Sequence, residues 1–145
     1  MMTTAIPYLC VQGAAAALDF YRQAFGAAEE MRLSEPGGRI GHAEIQIDGA
    51  RIMLSDEYLE YGILSPKTLG GAAVSIHLSV PEVDAFTERA VAAGATLKQP
   101  VADQFYGERT AKLEDPFGHS WHISTTTEEV SVEEMQRRYD AMLKG

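Results

Sequence analysis

One cysteine, Cys10, stands alone in a chain of 145 residues, so no disulfide can staple the fold from within. Its neighbours Leu9 and Val11 are apolar, which makes it a packing residue rather than a nucleophile. Basic clusters are missing too. The 12 Lys and Arg are scattered among 21 Asp and Glu, and a formal charge of −9 excludes a partner held by its phosphates, so nucleic acid is set aside. No apolar run approaches the roughly 20 residues that cross a bilayer. The start, Met1-Met2-Thr3-Thr4, has neither the basic nor the apolar part of an export signal. These absences predict no membrane partner and a cytoplasmic location. What is present is an apolar content of 46 %, ordinary for a globular protein with a buried core.

Periodicity divides the chain into two similar halves. Ala5–Val11 reads as a strand, and Leu18, Tyr21, Ala24 and Phe25 recur at helical spacing before Gly26 ends the helix. Glu29–Ser34 is a second strand and Ile40–Ile47 a third, with Ala43, Ile45 and Ile47 opposed to His42, Glu44 and Gln46. Asp48-Gly49 is a hairpin signal leading into Arg51–Asp56. Residues 57–72 keep neither period and read as a connector. The pattern then restarts: a strand over Ala73–Val80, a helix carrying Val83, Phe86, Ala90 and Val91, and strands over Thr96–Val101, Tyr106–Glu114 and Ser120–Thr125. A shift of 69 positions carries Ile6 onto Ser75, Tyr8 onto His77, Met53 onto His122 and Ser55 onto Ser124, the mark of an internal repeat. Ser131 with Glu134 three residues on is a capping box for a last, short helix. The prediction is a single α+β domain over 1–145: module one at 5–56, connector 57–72, module two at 73–125 and a helical tail at 128–145. Each module is βαβββ.

Several spaced motifs give this pattern a likeness. They are Asp19-Phe20-Tyr21 with Phe25-Gly26-Ala27, Gly41-His42-Ala43-Glu44, Ser65-Pro66-Lys67, Leu69-Gly70-Gly71, Asp103 to Arg109, Asp115 to Trp121, and the tail Glu128-Glu129-Val130-Ser131. With the duplicated modules they resemble the vicinal-oxygen-chelate superfamily, the glyoxalase, bleomycin-resistance and ring-cleaving dioxygenase group, and more narrowly its PhnB-like bacterial subgroup. The resemblance implies a mixed sheet curling around a shared cleft with helices outside, and a homodimer. It also implies a divalent ion held by His, Gln or Glu from the first and last strand of each module. Carried over, those four places fall on Ile6, Met53, Ser75 and His122. Alkyl, thioether and hydroxyl groups do not make a divalent site, so the usual metal centre looks absent and no cofactor is predicted, a divalent metal being possible only on other residues.

Alternation turns a definable polar set toward the cleft: Tyr8 and Cys10, His42 and Glu44, Met53 and Ser55, Ser75 and His77, Glu108, Thr110 and Lys112, His122 and Ser124. His42 beside Glu44 suits acid/base work, because a carboxylate fixes the tautomer of a neighbouring imidazole; the alternative is a hydrogen-bond network on one strand face. Tyr8, Met53, Ser75, His77, Tyr106, Arg109 and His122 are the candidate ligand contacts, with Tyr58 and Tyr61 of the connector as a lid. Arg109 either clamps an anionic ligand or pins its loop by a salt bridge. His119 falls in the turn and reads as a surface residue. A small organic molecule is the expected partner, bound or acted on without the usual metal. The alternative is a metal-dependent lyase, isomerase or dioxygenase with a divalent ion on a displaced set, His42, Glu44, His77 and His122.

Overall fold

The computed structural model describes all 145 residues. In module one, β1 (Tyr8–Val11), α1 (Ala14–Phe25), β2 (Ala28–Ser34), β3 (Ile40–Ile47) and β4 (Ala50–Asp56) form a four-stranded mixed sheet in the order β1-β4-β3-β2. In module two, β5 (Ser75–Ser79), α3 (Val83–Ala93), β6 (Thr96–Asp103), β7 (Glu108–Glu114) and β8 (Ser120–Thr126) repeat it as β5-β8-β7-β6. Between them lie a 3₁₀ turn at Leu59–Tyr61 and the one-turn helix α2 (Pro66–Leu69). The chain closes with α4 (Val132–Lys144). This is the expected α+β class with paired βαβββ modules. No helix is long and apolar enough to cross a membrane.

Strand ends follow from local chemistry. The first strand is shorter than its apolar pattern because Pro7 has no N–H to give the ladder, although its carbonyl still accepts from Met53 N at 2.9 Å. Pairing therefore begins at Tyr8↔Met53. Pro100 sits in β6, at the edge of its sheet, where register shifts separate Leu97, Gln99 and Ala102. Tyr106, expected in a strand, lies in the turn before β7, whose ladder opens at Glu108↔Thr126. Asp48 and Gly49 both take positive φ, 47° and 92°, as the two-residue hairpin turn demands.

The helices are tied to the sheets at their ends. Gly13 offers α1 no side-chain cap, so Asp56 at the end of β4 supplies one: its Oδ1 accepts from Gly13 N at 3.0 Å and Ala14 N at 2.8 Å. At the other end Arg89 of α3 donates through Nε to Gln23 O at 2.7 Å, placing a cation at the C-terminus of α1. The two modules meet largely through α1 and α3 and share one apolar core, with Phe20, Tyr21 and Phe25 of α1 packed against Phe117 and Trp121 of module two. Leu9, Val11, Ala43, Ile45, Ile52 and Leu54 turn one side of the first sheet to that core, and Leu78, Ala111, Leu113, Trp121 and Ile123 do so for the second. By strand alternation the polar side chains of both sheets lie on the sides away from it.

Candidate functional site

The polar side of the first sheet carries a hydrogen-bonded chain of four residues. Tyr8 on β1, His42 and Glu44 on β3 and Arg51 on β4 share it because each is an even number of pleats from its neighbours and Glu44 pairs with Met53. Tyr8 Oη lies 2.7 Å from His42 Nδ1, and His42 Nε2 lies 2.8 Å from Glu44 Oε2. Arg51 donates to the other Glu44 oxygen. The bond from His42, then Arg51, holds the Glu44 carboxyl below the usual carboxylate range. An ionised carboxylate only accepts, so His42 Nε2 carries a proton, and in the neutral imidazole Nδ1 accepts the proton of the Tyr8 phenol. The rings of Tyr8 and His42 are 5.5 Å apart.

Beside Tyr8 the connector builds an aromatic wall. Tyr58 and Ile63 exchange backbone hydrogen bonds at 2.9 and 3.0 Å around the 3₁₀ turn, which presents Tyr61 to solvent while Tyr58 is buried. Their rings stack at 6.1 Å. Tyr58 is fixed on both sides, its hydroxyl donating to Glu35 and the Arg39 guanidinium lying 3.8 Å above its ring. Tyr8, Gly41, Ser55, Tyr58, Tyr61 and Ile63 enclose a groove of about 430 Å³, open on one side. Gly41 forms part of its floor, since a Cβ there would stand 3.4 Å from the Tyr58 hydroxyl. Of the expected lid pair, Tyr58 is thus wall and Tyr61 rim.

The second sheet carries a separate polar group. His77 and His122 stand opposite each other on parallel strands with ring centres 4.7 Å apart, and His77 Nε2 lies 2.7 Å from the hydroxyl of buried Ser124. Lys112 pairs with His122 across β7. Burial, then the nearby His77 and Lys112, pushes the His122 imidazole below its ordinary value, with Glu108 opposing them. Ser75 pairs with Ser120, hydroxyl to hydroxyl at 3.3 Å, one pleat pair away from the imidazoles.

Several expected neighbours do not meet. No hydrogen bond or ring contact joins Tyr8, His42, Glu44 or Met53 to His77 or His122, and within one chain no three His, Cys, Asp or Glu side chains group as metal donors. The displaced four-donor set is therefore not assembled in one chain. His42 has no free lone pair to offer, both nitrogens being engaged. The four family positions fit no better. Ile6 precedes β1, so Tyr8 stands beside Met53, and His77 rather than Ser75 stands beside His122. A phenol, a thioether and two imidazoles, split between two sheets, do not fit a divalent centre within the chain.

Arg109 and Tyr106 lie apart from both polar groups as well. Arg109 lies on the opposite face of β7 from Lys112, where it pairs with Asp84 of α3 at 3.1 Å and Asp103 at 3.3 Å, so it pins its loop. Tyr106 lines an apolar groove with Phe105 and the α4 residues Val132, Met135 and Tyr139. His119, expected on the surface, is half-buried and donates through Nε2 to the Cys10 carbonyl at 2.8 Å, linking the modules. Cys10 is half-buried, and burial followed by Glu57 and Asp56 raises its thiol. Arg51 escaped the sequence reading although it lies two residues from Met53 and so on the same strand face. Asp115, which opens the Asp115-to-Trp121 motif, has a structural role of its own. It is a buried acceptor for Tyr21 Oη at 2.5 Å, Trp121 Nε1 at 2.8 Å and the backbone N–H groups of Phe117 and His119 at 2.9 and 3.0 Å.

Comparison with known proteins gives this arrangement a context. The protein Mb0911c of Mycobacterium bovis is 41 % identical over 133 residues, 90 % of this chain and 88 % of that protein. The crystal structure of TioX from Micromonospora sp. ML1 is 25 % identical with a TM-score of 0.68, covering 89 % of this chain and all of that one. The fosfomycin resistance protein FosX from Listeria monocytogenes, at 20 % identity and a TM-score of 0.65 over 93 % of this chain and 98 % of its own, shares the fold. Residues 3–123 match the model of one family, and with the paired βαβββ sheets they show that this chain belongs to the Glyoxalase/Bleomycin resistance protein/Dioxygenase superfamily.

Proposed function

We propose that this chain is a PhnB-like member of its superfamily that takes a small, flat organic molecule in the groove between Tyr8 and the Tyr58–Tyr61 wall, without the usual metal centre. The observation that carries this reading is the groove itself. Its lining of tyrosines, Gly41 and Ile63 suits an aromatic face, and its rim holds a polar group, Tyr8, to fix orientation. Tyr8 remains 52 % exposed while hydrogen-bonded, so it is accessible to a ligand. A homodimer is the second part of the proposal. The polar sides of both sheets are left uncovered within one chain, and a second copy that faced its His77–His122 side toward the first copy's Tyr8–His42 side would make them the two walls of a cleft.

Calorimetric titration with 2-naphthol tests the groove. Saturable binding is expected, weakened roughly fivefold or more by Tyr61→Ala through lost stacking. Equal affinity in that variant, or no saturation, counts against it. The metal-dependent reading requires two copies to bring His42, Glu44, His77 and His122 together. It predicts a divalent ion in stoichiometric amount after reconstitution, lost in His77→Ala, whereas the groove reading predicts that naphthol binding is indifferent to a chelator.

A further inference from the structure

Both nitrogens of His42 are occupied, so the imidazole cannot itself touch a molecule in the groove. Tyr8 can. It is the one member of the Tyr8–His42–Glu44–Arg51 chain that also lines the groove, and its phenol oxygen keeps lone pairs free once its proton points at Nδ1. Glu44, anchored by Arg51 on its far oxygen, fixes the imidazole in the tautomer that makes Nδ1 an acceptor. The order phenol, imidazole, carboxylate is that of a nucleophile, its base and the group that orients the base.

We propose that Tyr8 is the ligand-facing base of this relay, with His42 receiving its proton and Glu44 and Arg51 as positioning residues. The step balances within the site. A ligand X–H bond breaks and leaves its electron pair on X. That proton joins the Tyr8 oxygen as the proton of Tyr8 passes to His42 Nδ1, and the imidazolium formed lies against the Glu44 carboxylate. Return of the proton to the same or a neighbouring atom restores the relay, and no electrons are exchanged. The proton is held at the end by the imidazole, so the ligand X–H must be acidic enough to give it up to an imidazole base. The substrate class is therefore a flat molecule with a phenolic O–H or a C–H between two carbonyls. This deepens the groove reading and rests on it for the ligand, although the chemistry of Tyr8 can be tested with no ligand bound.

The test is the rate at which benzenesulfonyl fluoride modifies Tyr8 in the full chain, followed by peptide mass spectrometry against Tyr61 as the internal standard. In that reaction the phenol O–S bond forms, S–F breaks, fluoride leaves and the phenol proton passes to His42. Tyr61 is the more exposed ring, at 75 % against 52 %, so exposure alone favours Tyr61. The relay predicts the reverse, with Tyr8 faster by roughly tenfold or more. His42→Ala should bring Tyr8 down to the Tyr61 rate, and added imidazole should restore part of the loss, which a merely structural role would not produce. Tyr8 reacting no faster than Tyr61 overturns the proposal, as does an unchanged rate in His42→Ala. If that variant does not fold, the wild-type rate ratio still decides, and ¹⁵N spectra showing the proton of His42 on Nδ1 overturn the relay independently. Naphthol binding without enhanced Tyr8 reactivity removes the relay and leaves the groove; enhanced reactivity without naphthol binding does the opposite.

Discussion

Asp115 shows how much one side chain can hold. Its two oxygens accept four donors in a site only 3 % exposed, one from α1, one from the Trp121 indole and two from its own turn. Burial, and then Asp115 itself, pushes the Tyr21 phenol well up, which keeps it protonated as a donor. Asp115→Asn turns one oxygen into a donor facing donors, so it should cost about 2–4 kcal/mol of unfolding free energy in urea. His122 predicts a sign. Its folded-state value lies below that of the unfolded chain, so protonation favours unfolding. Its neutral form is tolerated fully above the unfolded value, near 6.5, and stability is lost as pH falls from there through the depressed folded value. The groups facing it are His77 and Lys112, which oppose its charge, and Glu108, which favours it. Urea unfolding between pH 7.5 and 5.5 should show a smaller loss in His122→Gln than in the wild type.

Elements were legible where a short-range rule decides them. Period-two alternation placed His42, Glu44 and Met53 on one face, because a strand's faces follow from residue parity alone. Ser131 accepts from Glu134 N at 3.1 Å as the capping pattern predicts, and α4 starts there. Ends were less legible where a single residue breaks the ladder, as Pro7 does before β1. The connector has no periodicity because its order comes from distant side chains: Glu57 accepts from Ser65 N at 2.9 Å and Gln12 Nε2 at 3.2 Å. The tail is docked by contacts of the same kind. The Gly107 carbonyl accepts from Thr127 N at 2.8 Å and Glu128 N at 3.1 Å, Phe105 stacks on Tyr139 at 5.6 Å, and Arg138 donates to the Phe105 carbonyl at 2.9 Å. Gly107 itself has φ +87°, and a Cβ would fall 2.3 Å from the Glu128 carbonyl oxygen. Gly107→Ala should therefore lower stability by about 2–4 kcal/mol. Proteolysis should then cut within 128–145 first.

At the scale of the whole molecule, the way the modules meet is not written in any local pattern of the sequence. Alternation names the polar face of each sheet but does not say which faces confront one another. That is decided by pairs far apart in sequence, such as Tyr21 with Asp115, Arg89 with Gln23 and His119 with Cys10, each spanning the two modules. They bring the helices together and leave the polar faces outward, which separates His42 and Glu44 from His77 and His122. The proposed second copy would reunite them, and dilution tests for it. Sedimentation of the wild type should give a dimer, and His77→Glu, a charge placed on the uncovered face, should shift it toward monomer; a monomer at every concentration would remove the dimer from the account.

The claim beneath all of this is that the Tyr8 groove is where a ligand sits. Backbone amide shifts followed by NMR during titration with 2-naphthol test it most directly. The account predicts saturable shifts centred on Tyr8, Gly41, Ser55, Tyr58, Tyr61 and Ile63. Shifts centred instead on Phe105, Met135 and Tyr139, or no saturable shifts at all, would contradict it.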